Sequence, residues 1–98
     1  MPTENSFEKY VLRFCKSEGI ICWKLKFIGR RGFPDRFLAR DGVIVFLELK
    51  TPKGTGVTSK IQHRVIGALK KAGCNVYVTS TKEEFLHVIE KHYGRTDV

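Results

Sequence analysis

Two alternating runs of apolar and polar residues meet at Asp41-Gly42, and no other feature limits the chain's folding options as much. Asp-Gly suits a two-residue type I′ turn, which requires positive φ at both central positions and locks the flanking strands into one register. The strands are expected at 35–40 and 43–50, with Arg40 facing Val43. Later pairs keep the same sum of residue numbers, so Asp35 falls opposite Glu48. Alternation gathers Phe33, Asp35, Phe37 and Ala39 on one face with Ile44, Phe46, Glu48 and Lys50.

That face is apolar near the turn and ionisable at its far end. Like charges opposed on a sheet are unfavourable, and half-burial makes them worse, so one acid must hold a proton or a cation must lie between them. A divalent ion removes the conflict, because Mg²⁺ takes oxygen ligands and is commonly held by one or two carboxylates together with a substrate phosphate. Lys50, two residues beyond Glu48 on the same face, is placed to aim its ammonium at a scissile phosphate or an attacking water. The plain alternative is an ion triad in which Lys50 neutralises both acids. A triad needs no cleft, whereas a metal site does.

The rest of the chain supplies a frame for this hairpin. Phe7, Tyr10, Val11, Phe14 and Cys15 recur at helical spacing, with Asn5 and Glu8 as a capping box and Gly19 as the stop. Residues 20–28 read as a strand with Trp23, Leu25 and Phe27 on one face and lysines on the open one. Gly29-Arg30-Arg31-Gly32 is a basic loop, either a solvated turn or a grip on phosphate. After a loop at 51–56, Thr58 caps a second helix with Ile61, Val65, Ala68, Leu69 and Ala72 as its buried stripe and Gly73 at its end. A fourth strand at 74–79 follows, then a last helix opened by Thr81 and Glu84, and a tail from Gly94 expected to fray. A crossover helix between the third and fourth strands makes them parallel. The expectation is a mixed α/β sheet with helices on both faces, one domain over residues 1–98.

Composition narrows the partners. In 98 residues, 18 Lys and Arg against 10 Asp and Glu give a net charge of +8, which favours a polyanion such as nucleic acid. The N-terminus lacks a basic segment leading into an apolar run, and no apolar run has the length to cross a bilayer, so neither secretion nor a membrane partner is expected. Cys15, Cys22 and Cys74 are odd in number and irregular in spacing, which argues against a disulfide framework or a zinc site. His63, His87 and His92 form no recognisable ligand pair. A reduced, cytoplasmic setting is expected, in a bacterium or as a phage protein in its host.

Pro34-Asp35, twelve intervening residues, and Glu48-Leu49-Lys50 resemble the signature of the PD-(D/E)XK nucleases, and the element order resembles their restriction-endonuclease-like αβββαβ core with an added C-terminal helix. Gly32-Phe33-Pro34-Asp35, Glu48-Leu49-Lys50, and Ser59 with Gln62 look more narrowly like the VRR-NUC family in stand-alone form, over about residues 8–81. The resemblance implies a nuclease dependent on Mg²⁺ or Mn²⁺ and on no small-molecule cofactor. Asp35, Glu48 and the backbone carbonyl of Leu49 would then be ligands, and Lys50 would orient or activate the attacking water. Glu8 would hold a second ion or a water, unless it serves as a helix cap. Gln62 would position Lys50 or the water. The implied reaction is in-line displacement at phosphorus, leaving a 5′-phosphate. Lys24, Lys26, Arg30, Arg31, Arg36, Lys53 and Lys60 would line the approach to the DNA backbone, and such contacts position without reading sequence. Branched, Holliday-junction-like DNA in replication or repair, bound by a homodimer, is the implied substrate. Ile66 stands where many nucleases of the superfamily carry an aromatic, so nothing there suggests base stacking. The competing readings are a nucleic-acid-binding module without turnover and a basic protein-interaction domain.

Overall fold

The turn at Asp41-Gly42 forms as its residues demand, with φ of 52° and 80°. In this computed structural model, which describes residues 6–50 and 59–94, the elements run α1 (Ser6–Ser17), β1 (Ile21–Lys24), β2 (Arg36–Arg40), β3 (Val43–Leu49), α2 (Lys60–Lys71), β4 (Val76–Thr79) and α3 (Lys82–Tyr93). One four-stranded sheet has the order β1-β2-β3-β4. The first two pairings are antiparallel and the third is parallel, as the crossover helix requires. The hairpin register is the expected one, from Arg40 opposite Val43 to Arg36 opposite Leu47. The fold is the mixed α/β sheet with flanking helices expected of the sequence.

One sheet face carries the main core. Leu38, Val45 and Leu47 are fully buried there against Phe7, Val11 and Phe14 of α1 and Phe85, Val88 and Ile89 of α3. Phe14 and Phe85 meet edge to face at 5.4 Å, an arrangement favoured by the ring quadrupoles. Arg40, beside the turn, donates to the carbonyls of Glu18 at 2.9 Å and Tyr93 at 2.7 Å, tying the chain beyond α1 and the end of α3 to the hairpin. The Thr81–Glu84 capping box opens α3 as expected.

The opposite face is only partly covered. Here α2 packs against β4, and Ile66 and Val76 are buried outside the main core cluster. The loop before β2 presses on α2 at Gly32, where φ is +85° and an added Cβ would lie 2.7 Å from the Ile61 side chain and 3.0 Å from its backbone. Only glycine satisfies both demands. Toward β1 the face is bare: Trp23 is 64% exposed and stacks on Phe37, with Ile21 and Ile44 exposed nearby.

Several local expectations need correction. β1 stops at Lys24 rather than running to Ile28, because β2 begins only at Arg36 and the last backbone bond to it joins the N–H of Leu25 to the carbonyl of Asp35 at 2.8 Å. The apolar side chains of β1 lie on the bare face, since Trp23 pairs with Phe37, while Lys24 pairs with buried Arg36. α2 is capped by Ser59, not Thr58, and buries Gln62 and Ile66, while Ala68 and Ala72 are exposed. β4 begins at Val76, not at residue 74. Asn5, Thr58, the loop at 51–56 and residues 95–98 lie outside the described residues.

Candidate active site

Asp35 and Lys50 each stand one residue beyond a strand end, flanking Glu48 on β3. The hairpin register, continued by one step, sets Asp35 opposite Glu48, and a Glu48 Oε1 accepts the backbone N–H of Asp35 at 3.1 Å. Glu48 is 9% exposed. The Lys50 Nζ lies 3.4 Å from Glu48 Oε2. Glu48 thus has two partners. Of the Asp35 carboxyl, Oδ1 is buried without a hydrogen-bond partner. Burial first, and the nearby Glu48 charge second, push the Asp35 carboxyl above the usual aspartate range, against opposing pulls from Arg36 and the Leu49 backbone. Lys50 therefore lies against one acid, Glu48, within ion-pair distance.

The proline before Asp35 adds to this. The same register sets Pro34 opposite Leu49, and the Leu49 backbone already bonds toward Asp35. A residue's N–H and carbonyl project to the same side of an antiparallel ladder, so the Leu49 carbonyl also faces that edge. Pro34 has no N–H to give it. Two carboxylates and a backbone carbonyl are hard oxygens, and with Asp35 Oδ1 buried and unpartnered they make a donor set that fits Mg²⁺ or Mn²⁺.

Gln62 stands in the first turn of α2, where Ser59 Oγ accepts its N–H at 3.1 Å, and the residue is 7% exposed. Glu8 is not brought in. Its carboxylate is bound by Arg36, which is 6% exposed on the core side of the sheet. Among the described residues no group of three His, Cys, Asp or Glu side chains is placed to hold a metal. Glu8, a candidate ligand by the sequence, is placed as the partner of a buried guanidinium.

The basic residues also sort themselves. Arg36 cannot meet DNA, because it is buried and engaged by Glu8. Lys24 shares the Arg36 side of the sheet by register, away from Asp35. Lys26, Arg30, Arg31 and Lys60 are exposed, and Lys53 lies outside the described residues. Arg30 and Arg31 line a cleft between the 27–33 loop and α2 together with Arg64. Arg64 was not read as functional from the sequence, where it looks like an ordinary exposed helix residue. Its signal was spacing: it lies three residues after Ile61, among the apolar residues that face the same cleft.

Among known proteins, no family profile matches the chain. A solved structure described as "VRR_NUC domain" superposes with a TM-score of 0.76 and 30% identity, covering 87% of this chain and 91% of that one. A phage protein named "Putative nuclease p44", from Acyrthosiphon pisum secondary endosymbiont phage 1, is 42% identical over 50 residues, half of this chain. The chain spans 54% of that curated relative's length.

Proposed function

Because the chain belongs to the VRR-NUC family of nucleases, we propose that it is a divalent-metal-dependent DNA endonuclease that acts on branched duplex DNA. The observation carrying this reading is the Asp35–Glu48 pair, in which one acid is satisfied by Lys50 and a backbone N–H while a buried oxygen of the other has no partner.

Asp35, Glu48 and the Leu49 carbonyl would hold Mg²⁺ or Mn²⁺, which supplies charge stabilisation to the phosphoryl group and favours ionisation of water at neutral pH. Glu48 fixes the Asp35 backbone through its N–H and keeps the Lys50 ammonium near 3.4 Å. Lys50 orients the attacking water and offsets negative charge that grows on the phosphate oxygens. Gln62 steadies that arrangement from the start of α2. Arg30, Arg31 and Lys60 contact phosphates and leave sequence unread. Nothing in this set of residues reads base edges, which suits selection by DNA shape, as in replication or repair. Cytoplasmic action in a bacterium or a phage-infected host fits the same reading.

Two-fold pairing of the chain would present two such sites to a branched substrate. The bare apolar face at the β1 edge of the sheet, with Trp23 and Ile21 of β1 and Ile44 of β3, is the proposed contact.

The test is hydrolysis of branched, flap and linear DNA with and without Mg²⁺ or Mn²⁺. Metal-dependent cleavage abolished by Asp35→Ala, Glu48→Ala or Lys50→Ala, with DNA binding retained, is the expected result. Binding with no cleavage of any substrate leaves a non-catalytic module, and no binding at low salt turns the reading toward an acidic protein partner.

A further inference from the structure

The cleft between the 27–33 loop and α2 is not explained by phosphate hydrolysis. Its volume is about 600 Å³, and its lining joins Phe27 and Phe33 to Ile61, Val65 and Leu69 of α2, with Arg30, Arg31 and Arg64 around them. Small-ligand sites fall at roughly 300–1,000 Å³ and combine apolar walls with a few polar groups in the same way. The Phe27 and Phe33 rings stack at 4.5 Å and 10°, and Phe33 stands edge-on to Phe46 of the sheet at 5.3 Å. The pair is therefore a rigid aromatic platform, yet Phe27 remains 49% exposed. An apolar stripe on α2 that the sequence pattern would bury instead opens onto this space.

The charge around the cleft has one sign. No acidic residue lines it, and none of the three arginines is in an ion pair among the described residues. Flat apolar surface ringed by unpaired guanidinium groups complements a nucleotide, whose base has an apolar face and whose linkages are anionic. The cleft also adjoins the proposed scissile position. Phe33 is two residues from Asp35, at most about 7 Å of chain, and two stacked steps of a DNA strand rise by about the same distance at ~3.4 Å each. A base held in a duplex stack cannot enter a cleft of this kind, whereas an unpaired one can.

We propose that this cleft binds a single unpaired nucleotide of the DNA strand next to the scissile phosphate, its base on the Phe27–Phe33 platform and α2 stripe and its phosphates on Arg30, Arg31 and Arg64. This rests on the nuclease reading above and supplies the feature by which a branched or flapped DNA is told from a continuous duplex.

The experiment uses the full chain in EDTA, with a flap DNA carrying 2-aminopurine at the first unpaired nucleotide and a fully paired DNA of equal length. Affinity for the flap is expected to exceed that for the paired DNA by about tenfold, in the lower range of what one stacked base contributes, with quenching of 2-aminopurine emission on binding. Phe27→Ala should bring the ratio toward one and remove the quenching. Ala68→Glu, at an exposed helix position lining the cleft that tolerates glutamate, should do the same without touching the platform's packing. A wild-type ratio near one, or a ratio that survives both substitutions, overturns the proposal. Failure of the two readings is separable: a preserved ratio with no Mg²⁺- or Mn²⁺-dependent cleavage sinks the nuclease and leaves the subsite, and cleavage with a ratio of one does the reverse.

Discussion

The Glu48 carboxylate accepts the backbone N–H of Asp35 at 3.1 Å while its other oxygen lies 3.4 Å from the Lys50 ammonium. Glu48 is thereby the hub of the site, and Asp35 is the group held under electrostatic pressure.

That pressure has a sign. The folded-state pKa of Asp35 is raised, so the folded protein binds its proton more readily than the unfolded chain does. Stability from this group is present at low pH and declines as pH rises through the window between the unfolded and the raised folded pKa. Asp35→Asn should therefore increase the melting temperature at neutral pH in EDTA, and the gain should shrink on acidification. Cleavage at sub-saturating Mg²⁺ should fail on acidification at a higher pH than an ordinary aspartate would dictate, because proton and cation compete for the same carboxylate. Thermal melts across pH, paired with a pH–rate profile, check both.

Pro34 leaves the Leu49 carbonyl without its ladder donor. Pro34→Ala restores an N–H that competes with a cation for that oxygen. The Mg²⁺ concentration for half-maximal cleavage should rise by about tenfold, in the range of other changes beside metal ligands, with the fold retained. Metal titrations of activity and of intrinsic Trp23 fluorescence provide the measurement.

Glu8 should matter for folding rather than for metal. Glu8→Ala leaves the buried Arg36 guanidinium without its carboxylate, and a buried donor left unsatisfied costs about 1–3 kcal/mol. Urea denaturation should show that loss, while the metal titration of the folded protein should not move.

Gly32→Ala meets two obstacles, a positive φ and the Ile61 side chain 2.7 Å away. A cost of about 1–3 kcal/mol is expected from backbone strain of this kind. The loop should shift from α2 and carry Phe33 with it, so a loss of flap preference larger than the loss of paired-DNA affinity is the outcome to look for.

Trp23→Glu places a charge at the centre of the bare face of β1. The proposed dimer should dissociate, read by sedimentation velocity, with little change in thermal stability because Trp23 is 64% exposed.

The hairpin was legible in the sequence because Asp41-Gly42 fixes both the turn and the parity, and Asp35, Glu48 and Lys50 follow from it by counting. Capping chemistry likewise announced α3 through Thr81 and Glu84. Alternation in β1 was visible, but not which face would be covered, since that depends on where α2 settles. The α2 stripe misled for a related reason: Ile61, Val65 and Ala68 are apolar because they border an open cleft, and apolar periodicity does not distinguish a cleft wall from a core. Glu8 and Arg36 are 28 residues apart and share no local pattern, so their pairing could be seen only in three dimensions.

The two-residue turn also shapes the order of events during folding. Asp35 and Glu48 are 13 residues apart and belong to one hairpin, an element that closes in about 1–10 μs. Gln62 and Arg64 of α2 arrive later, when the long crossover lets β4 dock in parallel. The nascent chain therefore brings its two acids together before anything basic from α2 reaches them, and an early hairpin should zip faster in millimolar magnesium than in EDTA.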